Sequence, residues 1–103
     1  MSKSLVKDFE NLFEQNQIPF MEIIDTKQKD LDLTVKVYFP KIVANICKFL
    51  NDRFSLDNKG SVVIKKDENG YHKVDLSFTY NNKKIKIRVH SMLQNTWGIA
   101  NKL

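Results

Sequence analysis

The strongest constraint in the sequence is a pair of neighbouring runs that alternate with a period of two. "YHKVDLSFTY" sets Val74, Leu76, Phe78 and Tyr80 against Lys73, Asp75, Ser77 and Thr79; "KKIKIRVH" sets Ile85, Ile87 and Val89 against Lys84, Lys86, Arg88 and His90. Successive side chains of a strand point to opposite faces, so each run predicts a strand with one buried and one open face. Only Asn81 and Asn82 separate them, which predicts a hairpin. The open face of the second run holds three cations and a histidine, with no acid among them.

The rest of the chain supplies partners for this hairpin. "GSVVIKK" is a further strand candidate, and "ENG" before Tyr71 suits a turn because Asn-Gly accepts positive φ. These runs predict an antiparallel meander of three strands. Upstream, "LTVKVYF" alternates Leu33, Val35, Val37 and Phe39 against Thr34, Lys36 and Tyr38, and "FMEIID" reads as a short strand. Leu5, Phe9, Leu12 and Phe13 recur at helical spacing, with Ser2 or Ser4 as N-cap and an end before Ile18 and Pro19. Pro40 suits the first turn of a second helix, "KIVANICKFLNDRF", whose Ile42, Ile46, Phe49, Leu50 and Phe54 form one stripe. "SMLQNTWGIANKL" predicts a last helix, with a capping box of Ser91 and Gln94 and a face of Leu93, Trp97 and Ala100. This order implies an α+β fold: a mixed, largely antiparallel sheet of about five strands with helices on one or both faces. The polar tips "LDNKG" and "KKDENG" are the expected mobile points.

At 103 residues the chain is expected to form a single domain spanning 1–103. An apolar content of 42% with seven Phe supports a packed core and argues against disorder. Cys47 has no partner cysteine and the first residues are charged and polar, so a reduced, cytoplasmic location is expected. No apolar run is long enough to span a bilayer, so no membrane partner is expected. The net charge is +5, and from Asn81 onward Lys83, Lys84, Lys86, Arg88 and Lys102 occur with no Asp or Glu. Such a local excess favours nucleic acid, nucleotide phosphates or an acidic protein surface. A solvated face that aids solubility gives the same pattern.

Catalytic signals are sparse. His72, His90 and Cys47 do not share metal-ligand spacing, and there is no phosphate-binding glycine loop and no nucleophile elbow. Asp25, Asp30 and Asp32 form the one acidic cluster, which suits a solvated strand entrance or a Mg²⁺ site. Tyr71 is placed either to stack on a base or to pack at a sheet edge, and the spacing of Trp97 suits a core position. A basic sheet face without catalytic residues or a cofactor motif points to binding.

"NGYHKVDLSFTY" followed by "KIKIRVHSMLQNTWGIANKL" resembles the synthetase domain of the RelA/SpoT family, which transfers pyrophosphate from ATP to GDP or GTP to make the alarmone (p)ppGpp. That family shows Gly-Tyr-Arg-Ser-x-His on one strand, then Glu-Ile-Gln-Ile-Arg-Thr running into a helix with Gln-His-Ala-Trp-Ala. Gly70 and Tyr71 match the first motif; Ser91, Leu93, Gln94 and Trp97 fit the second, with Ile85, Ile87 and Val89 as its apolar alternates. "LTVKVYFPKIVANICKFLNDRFSLDNKGS" is similar to the strand and helix that precede them, so the likeness covers roughly residues 30–103. The resemblance implies a nucleotidyltransferase-like, synthetase-like sheet.

The same resemblance implies a truncated, degenerate member without chemistry. Lys86 stands where the family keeps a strand Glu for catalysis and metal binding, Arg88 replaces the Gln and His90 the Arg. His72, Lys73 and Asp75 stand at the Arg, Ser and His that follow the Gly-Tyr, and Asp-x-x-Gly-x-Arg has no counterpart. The basic ATP-binding helix and loop that precede the strand are also missing. Phosphoryl transfer needs metal and positive charge around the phosphates, and an ammonium in place of the carboxylate repels the metal. Three expectations follow, led by a protein partner, as for an inhibitor or antitoxin of mobile-element origin. The second is RNA or single-stranded nucleic acid on Lys36, Lys73, Lys84, Lys86 and Arg88, with Tyr71 as a stacking surface. The third is a guanine nucleotide or alarmone held without turnover, its base on Tyr71 and its phosphates on the cations, with His90 on the same face.

Overall fold

The computed structural model describes residues 2–26, 31–57 and 62–93. Two helices, α1 (Ser2–Gln15) and α2 (Pro40–Phe54), pack against five strands: β1 (Glu22–Asp25), β2 (Leu33–Val37), β3 (Lys65–Lys66), β4 (His72–Tyr80) and β5 (Lys83–Ser91). The sheet order is β1-β2-β5-β4-β3, with β2 and β5 parallel and every other pair antiparallel. This is the expected α+β class, a mixed and mostly antiparallel sheet.

Alternation decides which side is buried. Leu33, Val35, Val37, Val74, Leu76, Phe78, Ile85, Ile87 and Val89 join Phe9 and Phe13 of α1 and Ile42, Val43, Ile46 and Leu50 of α2 in one core. Phe9 meets Phe13, Phe54, Phe78 and Tyr80 at ring-centroid distances of 5.1 to 6.2 Å, which ties both helices to the same end of β4. α1 ends in a Schellman turn: Gln17 has φ 59, and the Ile18 N–H donates to the Phe13 carbonyl at 2.8 Å. Pro40 opens α2 in its first turn. None of the described helices is long and apolar enough to cross a membrane. Cys47 is half-buried beside the core, and burial pushes its thiol pKa up.

The hairpins follow their turn residues. Asn81 and Asn82 have φ 52 and 64, the paired left-handed conformation of a two-residue loop, and this sets Tyr80 opposite Lys83. In the other hairpin only Gly70 takes positive φ, at 88. Three expectations are corrected. β3 is two residues long, Lys65–Lys66: Val62, Val63 and Ile64 of "GSVVIKK" lie outside any strand, and Gly60 and Ser61 lie outside the described residues. Phe39 is 41% exposed rather than buried, since β2 ends at Val37 and the chain turns into α2. Ser91 closes β5 instead of capping a helix; it is fully buried and its hydroxyl accepts the His72 N–H at 2.8 Å. The described helices cover one face of the sheet, the first of the two arrangements expected. Gln94, Trp97 and Ala100 of the expected last helix, the tip at 58–61 and Asp30 lie outside the described residues.

Candidate anion-binding face

On the helix-free side, strand partners in register share a face and form cross-strand rows. One row runs Glu22, Lys36, His90, Lys73 and Lys65 across all five strands, near the carboxyl ends of β2 and β5. The next holds Ile24, Thr34, Arg88 and Asp75. Below it Lys86 stands opposite Ser77, and its N–H donates to the Asp32 carboxylate at 2.9 Å. Lys84, opposite Thr79, is the last. At about 3.3 Å per residue, Lys84 and His90 are roughly 20 Å apart.

The acids that β5 lacks come from elsewhere. Arg88 Nε donates to Asp75 Oδ1 at 2.7 Å and Nη2 to Oδ2 at 3.2 Å. The Arg88 hydrogen bond holds the Asp75 carboxyl below the usual carboxylate range against the opposing effect of burial, and the charges of Arg88, Lys73 and Lys65 add to it. The same bond raises the Arg88 pKa. Asp57, just beyond α2, crosses the edge of β4 to pair with Lys84 Nζ at 2.5 Å and to accept the Ser77 hydroxyl at 3.3 Å.

The row through His90 is closed less completely. Lys36 Nζ reaches Glu22 at 3.8 Å, while Lys65 and Lys73, which face each other, form no ion pair among the described residues. Partial burial lowers the His90 pKa; Lys73, Arg88 and Lys36 lower it further, and Asp67 opposes them. Tyr71 sets its ring edge-on to His90, with centroids 6.1 Å apart. It is held there by its turn: the Asp67 carboxylate accepts the N–H groups of Asn69 and Tyr71 at 2.9 and 3.0 Å. Beyond Lys36, Tyr38 and Phe39 are 43% and 41% exposed with rings 6.4 Å apart. Aromatic side chains therefore border the basic row at this end of the sheet.

Of the expected binding residues, the structure gathers Lys36, Tyr71, Lys73 and His90. Arg88 lies one row away, engaged by Asp75; Lys86 is exposed between the two ends, and Lys84 is at the far one. Sequence reasoning missed Lys65, although a hairpin centred on "DENG" sets it opposite Lys73. It also missed Tyr38 and Phe39, and the signal for Tyr38 was its polar-side place in the β2 alternation. His72 belongs to the helix side, where its buried Nδ1 has no hydrogen-bond partner among the described residues. No group of three metal-ligating side chains occurs among the described residues. A cleft of about 230 Å³ lies at the other end of the sheet, lined by Asp8, Leu12, Arg53, Phe54 and Tyr80, where the Tyr80 hydroxyl donates to Asp8 at 2.8 Å. Set against known protein families, curated proteins and solved structures, the chain matches none.

Proposed function

We propose that the protein is a non-catalytic module that binds single-stranded nucleic acid, RNA in the first instance, across the row Lys36, His90, Lys73 and Lys65. The observation that carries this reading is the juxtaposition of that row with Tyr71 and Tyr38. Single strands are held by cations that track the phosphates and by aromatic rings that stack on bases, at about 1–3 kcal/mol per stacked base. A protein partner has less support, because interface cores are depleted in Lys and anchored by Arg and buried aromatics. Here the row offers lysines, and the nearby Arg88 is taken by Asp75. A guanine nucleotide would favour a concave site, and the cleft lies away from the row. The non-catalytic part rests on the RelA/SpoT resemblance and on Lys86 at the position of the carboxylate, a cation where a metal would have to sit.

Fluorescence anisotropy of a labelled oligo-uridine, titrated with the protein from low to physiological salt, tests the reading. Each phosphate neutralised on a single strand contributes a slope of about −0.7 to log K against log salt, so three lysines give about −2. Absence of binding at low salt overturns the proposal.

A further inference from the structure

Resting on the nucleic-acid reading, we propose that single-stranded RNA binds the row with uptake of a proton by His90, so that affinity rises as the pH falls. His90 is the one histidine of the row, the side chain type that ordinarily changes charge closest to neutral pH, and its place is central. Lys36 on the parallel β2 and Lys73 on the antiparallel β4 are its direct cross-strand neighbours, on strands about 4.7–4.9 Å away. Arg88 is two residues back on its own strand. The turn contributes Asp67 and Tyr71, Lys65 stands one strand beyond Lys73, and Glu22 one strand beyond Lys36. Asp75 is held by Arg88. Only Asp67 among the charges acting on the ring favours its protonation.

In the free protein a cation at His90 would be the middle one of three, and partial burial disfavours it further. Phosphate oxygens placed over Lys36 and Lys73 reverse that balance. They supply negative charge on both sides of the ring and an acceptor for its new N–H, and a hydrogen bond to the charged form favours it. The proton comes from solvent. Thermodynamic linkage then requires that whatever raises the His90 pKa on binding also tightens binding in acid by the same factor, about tenfold for each pH unit by which the midpoint rises.

Two measurements test this, both with oligo-uridine, whose bases do not titrate in the His range. NMR titration of the imidazole C–H signals in the free protein and at saturating RNA should place the His90 midpoint higher in the complex. An unmoved midpoint overturns the inference without any variant. Anisotropy should show wild-type affinity rising about five- to tenfold between pH 8 and about pH 5.5, and a nearly flat profile for His90→Gln. A variant that keeps the wild-type slope also overturns it. RNA bound equally well at every pH removes proton uptake and leaves the nucleic-acid reading standing; no RNA bound at any pH removes both.

Discussion

The two ends of the open sheet face carry the same kind of residue and use it differently. At the far end Lys84 is held by Asp57, and in the middle Arg88 is held by Asp75. At the end of His90, Lys65 and Lys73 face each other across strands, and the one ion pair of this row among the described residues is Lys36 with Glu22, at 3.8 Å. Like charges directly opposite on a sheet are destabilising. The cation at the far end therefore fastens the residue after α2 to the sheet, whereas under the proposed function those near His90 meet the RNA phosphates. The largest expected effect tests that division directly. Replacing Lys36 and Lys73 together by Gln should weaken oligo-uridine binding about twentyfold at low salt and flatten the salt slope by about 1.4, or about 0.7 for each phosphate no longer neutralised. Lys84→Gln should change affinity by less than about twofold. Equal losses at the two ends would show that the face acts as one undivided patch.

A smaller effect comes from making the far end resemble the near one. Asp57→Asn releases Lys84 but leaves the Asp57 N–H bonded to Ser77, so the edge of β4 stays covered. The pair is partly exposed, with side chains 56% and 37% accessible, so its loss should lower the urea-unfolding free energy by less than about 1 kcal/mol. Lys84 then becomes available, and RNA affinity at low salt should rise by about twofold. A fall in affinity would mean that Asp57 organises the binding surface rather than neutralising part of it.

Much of this arrangement was legible, and the limits have physical causes. A two-residue turn at Asn81 and Asn82 fixes the pairing of β4 and β5, so Asp75 opposite Arg88 and Lys73 opposite His90 follow from counting outward from it. The core stripes of α1 and α2 follow from helical spacing in the same way. Lys36 beside His90 does not follow, because β2 and β5 pair in parallel across α2 and two strands, with no turn between them to set the register. Asp57 is equally hidden, since nothing local shows that the chain leaving α2 crosses the edge of β4. Ser91 illustrates a local signal overridden by the sheet. Its spacing to Gln94 suits a helix cap, but its place opposite Val37 and its bond from His72 keep it in β5. Phe39 was missed for a related reason. The alternation assigned Phe39 to the core, yet β2 stops short of it.

The smallest effect concerns the boundary row, where Asp75 and Arg88 separate the two ends. Asp75 has a lowered pKa in the folded chain, so its contribution is present above the unfolded carboxylate value and is lost as the pH falls through the lowered one. His90 also has a lowered folded pKa, but as a base its neutral form is the favoured one. Its contribution is therefore complete above the unfolded histidine value of about 6.5 and declines as the pH falls through that value toward the folded one. Acid should thus weaken the free fold in two separate windows. Asp75→Asn should remove only the lower window, costing less than about 1 kcal/mol at neutral pH because the pair is exposed, and should match wild type once Asp75 is protonated. Urea unfolding at a series of pH values measures both windows. If Asp75→Asn instead abolished the upper window, His90 would be coupled to the boundary row more tightly than to Lys36 and Lys73, and the near end would no longer be an independent site.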